Sequence, residues 1–206
     1  MKKGIITMFA FASLFIVACG GGETEEVVVE EVAPETVMYA ADASASKVNW
    51  RGEVAGVYGH DGFVNLKSGQ VEVAGDKLVG GKFEVDMTAF YPTDTASYKD
   101  VDGGRMSDLQ GHLATEDFFA TATYPTSLFV ITSVEGNTVK GNLTVRDKTN
   151  EETFNITSME MTDNGVNMTG TLVFDRQKYD VAWVHFMKDM ILSDDIALKV
   201  NLVATK

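Results

Sequence analysis

Strict alternation of apolar and polar residues runs through residues 138–145, Thr-Val-Lys-Gly-Asn-Leu-Thr-Val. One parity carries only apolar residues or glycine, namely Val139, Gly141, Leu143 and Val145, and the other carries polar or charged residues. Successive side chains of a strand point to opposite faces of a sheet. The pattern therefore predicts a strand with one buried face and one solvated face.

The same period of two recurs from residue 46 to the C-terminus. Regular apolar faces also occur in 48–54, 166–174 and 196–204, and less regular strands are predicted at 62–67, 70–74, 77–87, 128–134 and 152–161. Turn signals separate them at 75–76, 135–137, 148–150 and 163–165. Most gaps are too short for the helical crossovers that a parallel sheet needs. The sequence therefore predicts an all-β fold, an antiparallel eight-stranded barrel closed around its own core.

One segment, residues 91–124, departs from the strand pattern. Its apolar residues recur at spacings of three to five, which predicts one or two short helices inserted into the barrel. The apolar residues expected to plug or gate one end of the barrel are Phe90, Leu109, Leu113, Phe118 and Phe119.

The N-terminus is typical of a secretory signal. Lys2 and Lys3 precede an uncharged apolar run over residues 4–18, too short to span a bilayer comfortably. The run ends Ile-Val-Ala-Cys at residues 16–19, which resembles a bacterial lipobox, a signal in which the cysteine is acylated, typically with palmitate. We expect residues 1–18 to be a lipoprotein signal peptide and Cys19 to be lipidated; the alternative is an ordinary signal in which Cys19 is incidental.

Residues 19–45 are predicted to be the lipidated cysteine followed by an acidic flexible linker. Six glutamates and no basic residue lie between residues 20 and 41, and such a stretch repels itself. A short strand at 27–29 is the alternative there. The barrel domain is expected over 46–206, and the protein is expected to be lipid-anchored in the bacterial cell envelope, at the outer membrane or the cell surface.

Composition excludes several classes of function. A net charge of −13 disfavours nucleic acid as a partner, and a single cysteine in 206 residues excludes zinc fingers and disulfide frameworks. The sequence carries no G-x-S-x-G elbow, no phosphate-binding loop and no paired carboxylates, so we expect no enzyme. The three histidines, His60, His112 and His185, lack metal-ligand spacing, and no metal is expected.

Several spaced motifs resemble one known family over about residue 46 to the C-terminus. The most specific is residues 109–119, Leu-Gln-Gly-His-Leu-Ala-Thr-Glu-Asp-Phe-Phe; the others are 50–52, 60–62, 80–87, 124–125, Phe129, 141–145, 174–176, Tyr179 and 196–204. In order and spacing they resemble the YceI-like family of polyisoprenoid-binding, lipocalin-like barrels. Asp180 stands where that family usually has glycine, and Ala120 replaces a common acidic residue. Aspartate tolerates left-handed backbone, so the turn at Asp180 is expected to survive.

The resemblance implies a lipocalin-like barrel whose apolar pore stores or transports a long isoprenoid, an isoprenoid quinone or another amphipathic lipid, with no separate cofactor. The residues predicted to line the pore are Trp50, Val54, Phe83, Val85, Leu143, Val145, Phe154, Ile156, Met168, Leu172, Phe174, Leu198, Val200 and Leu202. His60 and Arg176 are candidate head-group contacts, although Arg176 beside Asp175 also fits a structural ion pair.

The residues alone also fit a solid barrel packed by ordinary core side chains, which acts as a surface interaction protein through loops such as 91–105. Whether two barrels pair into a homodimer stays open at this stage.

Overall fold

The computed structural model describes residues 34–162, 164–184 and 190–206. The predicted signal peptide, Cys19, the residue 27–29 alternative and His185 lie outside the described residues. Pro34 begins the compact unit that runs to Lys206.

Strands dominate this unit. They are β1 (Thr36–Ala41), β2 (Lys47–Val54), β3 (Tyr58–Ala74), β4 (Lys77–Pro92), β5 (Thr126–Glu135), β6 (Thr138–Val145), β7 (Lys148–Thr162), β8 (Gly165–Asp175) and β9 (Asp195–Thr205). The described helical elements are α1 (Met106–Ala114) and two 3-10 turns, Thr95–Ser97 and Arg176–Tyr179. The predicted all-β fold with a short helical insertion is confirmed.

The sheet closes on itself. Strands β2 to β9 pair antiparallel in chain order, and β9 pairs back with β2 through five residue pairs from Lys47↔Asn201 to Arg51↔Ala197. Eight strands therefore form the barrel, as the alternation predicted. Closure leaves the main ring without an edge strand, so the backbone N–H and C=O groups along it are paired.

Strand β1 is a ninth strand, and it corrects the predicted linker, which is wrong for residues 36–41. Strands β3 and β9 extend past the start of β2, and β1 pairs with residues 70–74 of β3 and residues 204–205 of β9. Without β1 those two strand ends would present unpaired backbone groups. Tyr39, on the inward face of β1, is buried in the core. The barrel thus begins near Thr36 and not at residue 46.

Two smaller predictions about strand boundaries are also wrong. The strands expected at 62–67 and 70–74 are one strand, β3, which has register shifts on either side of Leu66. The turn expected at 148–150 lies at Arg146-Asp147, where Arg146 has a φ of 54°. Lys148 already pairs with Val145, and the hydroxyls of Thr144 and Thr149 hydrogen-bond at 2.8 Å across the ladder, so the connection is a two-residue hairpin.

The two ends of the barrel differ. One end, here called the packed end, holds β1, the β3–β4, β5–β6 and β7–β8 hairpins, and a group of fully buried valines, Val71, Val73 and Val166. The opposite end, here called the mouth, holds the β2–β3 hairpin at 55–57, helix α1 and the chain between β8 and β9. The chain enters β1 at the packed end, where Pro34 lies beside Gly75.

Candidate functional site

A cavity of about 250 Å³ lies inside the barrel, and its wall extends from Leu78 and Val139 towards the packed end to His60 and Trp183 at the mouth. A single water needs only ~10–15 Å³, so the space is no packing defect. Strands β2 to β9 and helix α1 contribute to its wall. The predicted lining residues on the wall are Trp50, Val54, Phe83, Val85, Leu143, Val145, Phe154, Met168, Leu172, Phe174, Leu198, Val200 and Leu202.

The prediction is wrong for the remaining lining residue, Ile156. It is 7% exposed and belongs to the core, but it does not lie on the cavity wall. Ile156 is paired with Gly170, and the ring of Phe154 covers Gly170 at that point. The aromatic ring therefore forms the wall where Ile156 was expected.

The wall is almost entirely apolar. Two of its polar residues already have partners, because the Ser127 hydroxyl donates to the Thr144 carbonyl at 2.6 Å and the Ser46 hydroxyl to the Val203 carbonyl at 3.3 Å. An apolar wall with few convergent polar groups is typical of a site for an apolar ligand.

Glycines under aromatic rings explain why the barrel is hollow. Four inward-facing strand glycines are each covered by an aromatic ring from a neighbouring strand: Gly62 by Trp50, Gly69 by Phe83, Gly141 by Phe129 and Gly170 by Phe154. A Cβ at Gly69 would lie 2.7 Å from Cδ1 of Phe83. Because glycine leaves that space free, the rings lie flat along the wall and do not cross the lumen.

The five residues predicted to plug the barrel lie together at the mouth. Phe90, Leu109, Leu113, Phe118 and Phe119 all contribute to the cavity wall. The rings of Phe90 and Phe119 stack with centroids 5.4 Å apart, and those of Phe118 and Phe119 meet edge to face at 4.9 Å. They form an apolar cap over the open end of the lumen.

Helix α1 is fixed locally at its start and tied to strand β4. At its N-terminus the Asp108 side chain accepts a hydrogen bond from the Arg105 backbone N–H at 2.9 Å. The side-chain amide of Gln110 donates to the Phe90 carbonyl at 2.7 Å. These bonds hold the apolar face of the helix against the cavity.

His112 lies on the wall in an aromatic environment. Its ring meets Phe118 at 5.4 Å and Trp183 at 4.6 Å between centroids, both edge to face. Burial lowers the pKa of His112, and the charge of Asp117 opposes that shift only in part. The neutral imidazole therefore suits this apolar position.

His60, the first candidate head-group contact, lies on the wall at the mouth. Asp94 and Tyr98 contact its ring on the side away from the cavity. Its Nδ1 lies 2.8 Å from Oδ2 of Asp94 and 3.1 Å from the Tyr98 hydroxyl, which itself donates to Oδ1 of Asp94 at 3.0 Å. Burial acts to raise the pKa of Asp94, but hydrogen bonds from His60, Ser97 and Tyr98 outweigh it and lower the pKa. Burial, and then the hydrogen bond to Asp94 and its charge, raise the pKa of Tyr98. Asp94 is therefore ionised and Tyr98 protonated at neutral pH.

Arg176 is the second candidate head-group contact, and for this residue the prediction is wrong. Its side chain is 3% exposed, and its guanidinium donates to the backbone carbonyls of Val181, Trp183 and Ser193 and to the Asp194 carboxylate, the last at 3.0 Å. It does not lie on the cavity wall. Arg176 is a clamp that holds the chain on both sides of residues 185–189, which agrees with the structural alternative. Asp180 closes the adjoining turn with a φ of 57°, the left-handed backbone that the sequence predicted.

Sequence reasoning missed Asp94 and Tyr98 and several wall residues, including Val64, Leu66, Phe129 and Leu192. Asp94 lies 34 residues from His60 in the chain, and no local pattern links them. The alternation of Val64 and Leu66 within β3 was a usable signal for an inward face. Among the described residues, no group of three or more His, Cys, Asp or Glu side chains is placed to hold a metal ion.

Known proteins similar to this chain match it over the barrel. The model of the YceI-like domain matches residues 39–204, most of the chain. The chain belongs to the YceI-like family. A UPF0312 protein of Staphylococcus epidermidis is 31% identical over 102 residues, which are 47% of this chain and 59% of that protein. A UPF0312 protein of Staphylococcus aureus is 36% identical over 78 residues, 34% of this chain and 44% of that protein. These alignments span about half the length of the curated relatives.

Two solved structures share the YceI-like fold. Burkholderia cenocepacia BcnA superposes with a TM-score of 0.62 at 24% identity, over 80% of this chain and 99% of that one. A polyisoprenoid-binding domain from Saccharophagus degradans, implicated in plant cell wall breakdown, superposes with a TM-score of 0.53 at 12% identity, over 81% and 97%. At these identities the likeness concerns the fold. In the part of the chain that the structure describes, no helix has the length and apolar character needed to cross a membrane.

Proposed function

We propose that this YceI-like protein binds one long apolar chain, an isoprenoid or another amphipathic lipid, in the barrel cavity, and that it stores or transports that chain without catalysing a reaction. The observation that carries the proposal is the cavity of about 250 Å³ lined almost throughout by apolar side chains. Such a space is unfavourable for water and favourable for hydrocarbon.

Family membership supports the same ligand class. The Saccharophagus degradans domain with this fold is a polyisoprenoid-binding domain. In this chain the rings over Gly62, Gly141 and Gly170 leave an open lumen, which suits an unbranched or isoprenoid chain better than a wide, rigid molecule.

The cavity also bears on the alternative of a solid scaffold. A barrel that acts only through its loops gains stability from a filled interior, because interiors normally pack to the density of organic crystals. Here Val71, Val73 and Val166 reach that state at the packed end, whereas the lumen beyond them is hollow. The hollow lumen favours ligand binding.

The N-terminal lipid anchor belongs to the proposal as well. Acylation of Cys19 would tether the protein to a membrane of the cell envelope, outer membrane or cell surface. The described chain begins at Pro34, on the packed end of the barrel. Metabolic labelling with palmitate tests the acylation: label is expected on the wild-type protein and absent from Cys19→Ser.

The deciding experiment places a charge inside the lumen. Leu172 is 4% exposed on the cavity wall, and its neighbour Val173 is 52% exposed on the outer face of β8. Leu172→Glu is expected to lower the affinity for geranylgeraniol at least about tenfold, because a carboxylate in an apolar cavity is poorly solvated. Val173→Glu is the matched control and should keep wild-type affinity. Both are measured by fluorescence competition, with lipid stoichiometry from native mass spectrometry.

The proposal fails if wild-type protein takes up no lipid, or if Leu172→Glu lowers the melting temperature while lipid binding persists. The second result would mean that the lumen is ordinary core.

A further inference from the structure

The mouth contains a polar cluster, His60, Asp94 and Tyr98. Binding of a hydrocarbon chain, as proposed above, gives this cluster no role. Asp94 and Tyr98 lie behind the wall, and only His60 reaches the cavity. The His60 and Asp94 side chains are 25% and 14% exposed, and the rings of His60 and Tyr98 stack with centroids 5.4 Å apart. Thr93 N–H donates to the Asp61 carbonyl at 2.8 Å, which holds the Asp94 segment against strand β3. A built polar group therefore stands at the entrance of an apolar cavity.

The hydrogen bonds determine where the proton of the imidazole lies. The Tyr98 hydroxyl donates its proton to Oδ1 of Asp94, and the ionised carboxylate of Asp94 has no proton to donate. Both partners of His60 Nδ1 are therefore acceptors towards it, so Nδ1 carries the proton. Of the two neutral tautomers, the one that these bonds select leaves Nε2 without a proton.

Nε2 is the acceptor that the cluster leaves open. Nδ1 is turned to Asp94 behind the wall, so the opposite edge of the ring is the one that faces the mouth. Within the described ranges, no residue hydrogen-bonds to Nε2, and Nε2 is not among the buried polar atoms that lack a partner. A ligand that supplies a hydrogen-bond donor can therefore reach it.

The charges around the mouth discriminate against anions. Glu53 lies on the wall, and Asp61 lies next to His60 on β3. Arg51 pairs with both, at 2.6 Å from Nε to Oε1 of Glu53 and 2.5 Å from Nη1 to Oδ2 of Asp61. Arg51 and Asp61 lie on the outer face of β2 and β3, so the carboxylates nearest the cavity are Glu53 on the wall and Asp94 behind His60. A phosphate or carboxylate head group would meet net negative charge.

We infer that the cavity is selective for a lipid with a neutral, hydrogen-bond-donating head group, a long-chain alcohol, whose hydroxyl donates to Nε2 of His60 while its hydrocarbon chain fills the lumen. The inference rests on the proposed function and specifies its ligand class. We expect weaker binding when the same hydrocarbon chain bears a phosphate. We also expect weaker binding of the corresponding ether, which lacks the hydroxyl proton.

Three ligands with one chain test the inference: geranylgeraniol, its methyl ether and geranylgeranyl phosphate. One net hydrogen bond corresponds to roughly a three- to tenfold preference, so wild-type protein should bind the alcohol that much more tightly than the ether and bind the phosphate weakest. His60→Phe should bring the ratio of alcohol to ether near one while ether affinity stays. Asp94→Asn should lower the ratio, because an amide no longer dictates the imidazole tautomer. Asp100→Asn, an exposed carboxylate of the same segment bound to Arg105, is the control and should keep the wild-type ratio.

The outcomes separate the two proposals. If no ligand binds to wild-type protein, the proposed function fails. If alcohol and ether bind equally well to wild-type protein, or if the phosphate binds tightest, the function stands and the head-group inference is overturned. Asp94→Asn with an undiminished ratio also overturns it. Circular dichroism of each variant shows that the barrel is intact.

Discussion

The packed end and the mouth are built from the same strands and yet differ in what holds them together. At the packed end, valines such as Val71, Val73 and Val166 fill the barrel with almost no exposed surface. Beyond them, aromatic rings lie flat over Gly62, Gly69, Gly141 and Gly170 and leave a cavity along the lumen. At the rim of the mouth, hydrogen bonds and an ion pair of Arg176 hold the chain between β8 and β9. Side chains fill the barrel at the packed end, whereas the cavity lies between that end and the mouth.

The largest effect is expected at the rim of the mouth. Arg176→Met removes the guanidinium that holds the carbonyls of Val181, Trp183 and Ser193, and should lower the free energy of unfolding by about 3 kcal/mol, because buried carbonyls lose a charged donor. Lys178→Met, on the exposed face of the same turn, should change it by less than ~0.5 kcal/mol. Urea denaturation measures both. Equal effects of the two substitutions would mean that Arg176 is no clamp.

The next effect tests why the lumen is open. Gly170→Ala places a methyl group against the Phe154 ring and the Asn155 carbonyl, which should cost ~1–3 kcal/mol and turn the ring into the lumen, with weaker lipid binding. Gly111→Ala, in helix α1 with open space around it, should instead stabilise the protein by up to ~1 kcal/mol. Thermal unfolding and lipid titration check the pair. Unchanged lipid affinity in Gly170→Ala would show that the ring does not define the cavity.

A matched pair of valines compares the packed end with the cavity directly. Val73→Ala at the packed end should lower the free energy of unfolding by about 2 kcal/mol, because a cavity is left in close-packed core. Val85→Ala, whose side chain faces the existing cavity, should cost about 1 kcal/mol but alter lipid affinity. Chemical denaturation with and without lipid distinguishes the effect of each substitution on stability from its effect on lipid binding. A larger loss at Val85 would reverse the assignment of packed end and cavity.

The smallest effect is a pH dependence of the mouth. Burial lowers the pKa of His112 in the folded state below 6.5, so the unfolded chain binds the proton more readily. Stability associated with His112 is therefore complete above pH 6.5 and is lost as the pH falls below that value towards the folded-state pKa. Urea denaturation of wild type and His112→Gln at pH 7.5 and 5.5 should show a smaller loss in the variant. Parallel losses would remove His112 as the cause.

Much of the fold was predictable because strand alternation is a local property. The faces of β6 and β8, the inserted helix and the eight-stranded ring follow from a period of two and short turns. Strand β1 escaped prediction because the glutamates before it resemble a linker, and its pairing with residues 70–74 and 204–205 depends on how far β3 and β9 extend. The turn at Arg146-Asp147 escaped because its residues do not stand out from the polar residues that follow.

The candidate site divides in the same way. Wall residues such as Leu143, Leu172 and Leu198 were predictable, since each belongs to the apolar parity of a regular strand. Ile156 belongs to the same kind of parity, but the ring of Phe154 covers its partner Gly170. Arg176 looked like a candidate for a ligand contact, because the carbonyls it binds carry no signature in the sequence.

The sequence by itself determined that the chain forms an all-β barrel with an apolar interior and a short helix near one end, because side-chain period and turn chemistry act over a few residues. Only the tertiary structure decided that the barrel is packed at one end and hollow beyond it, and that His60 faces the mouth with Asp94 behind it. Those features depend on register and closure. They join residues far apart in the chain, and no local pattern records them.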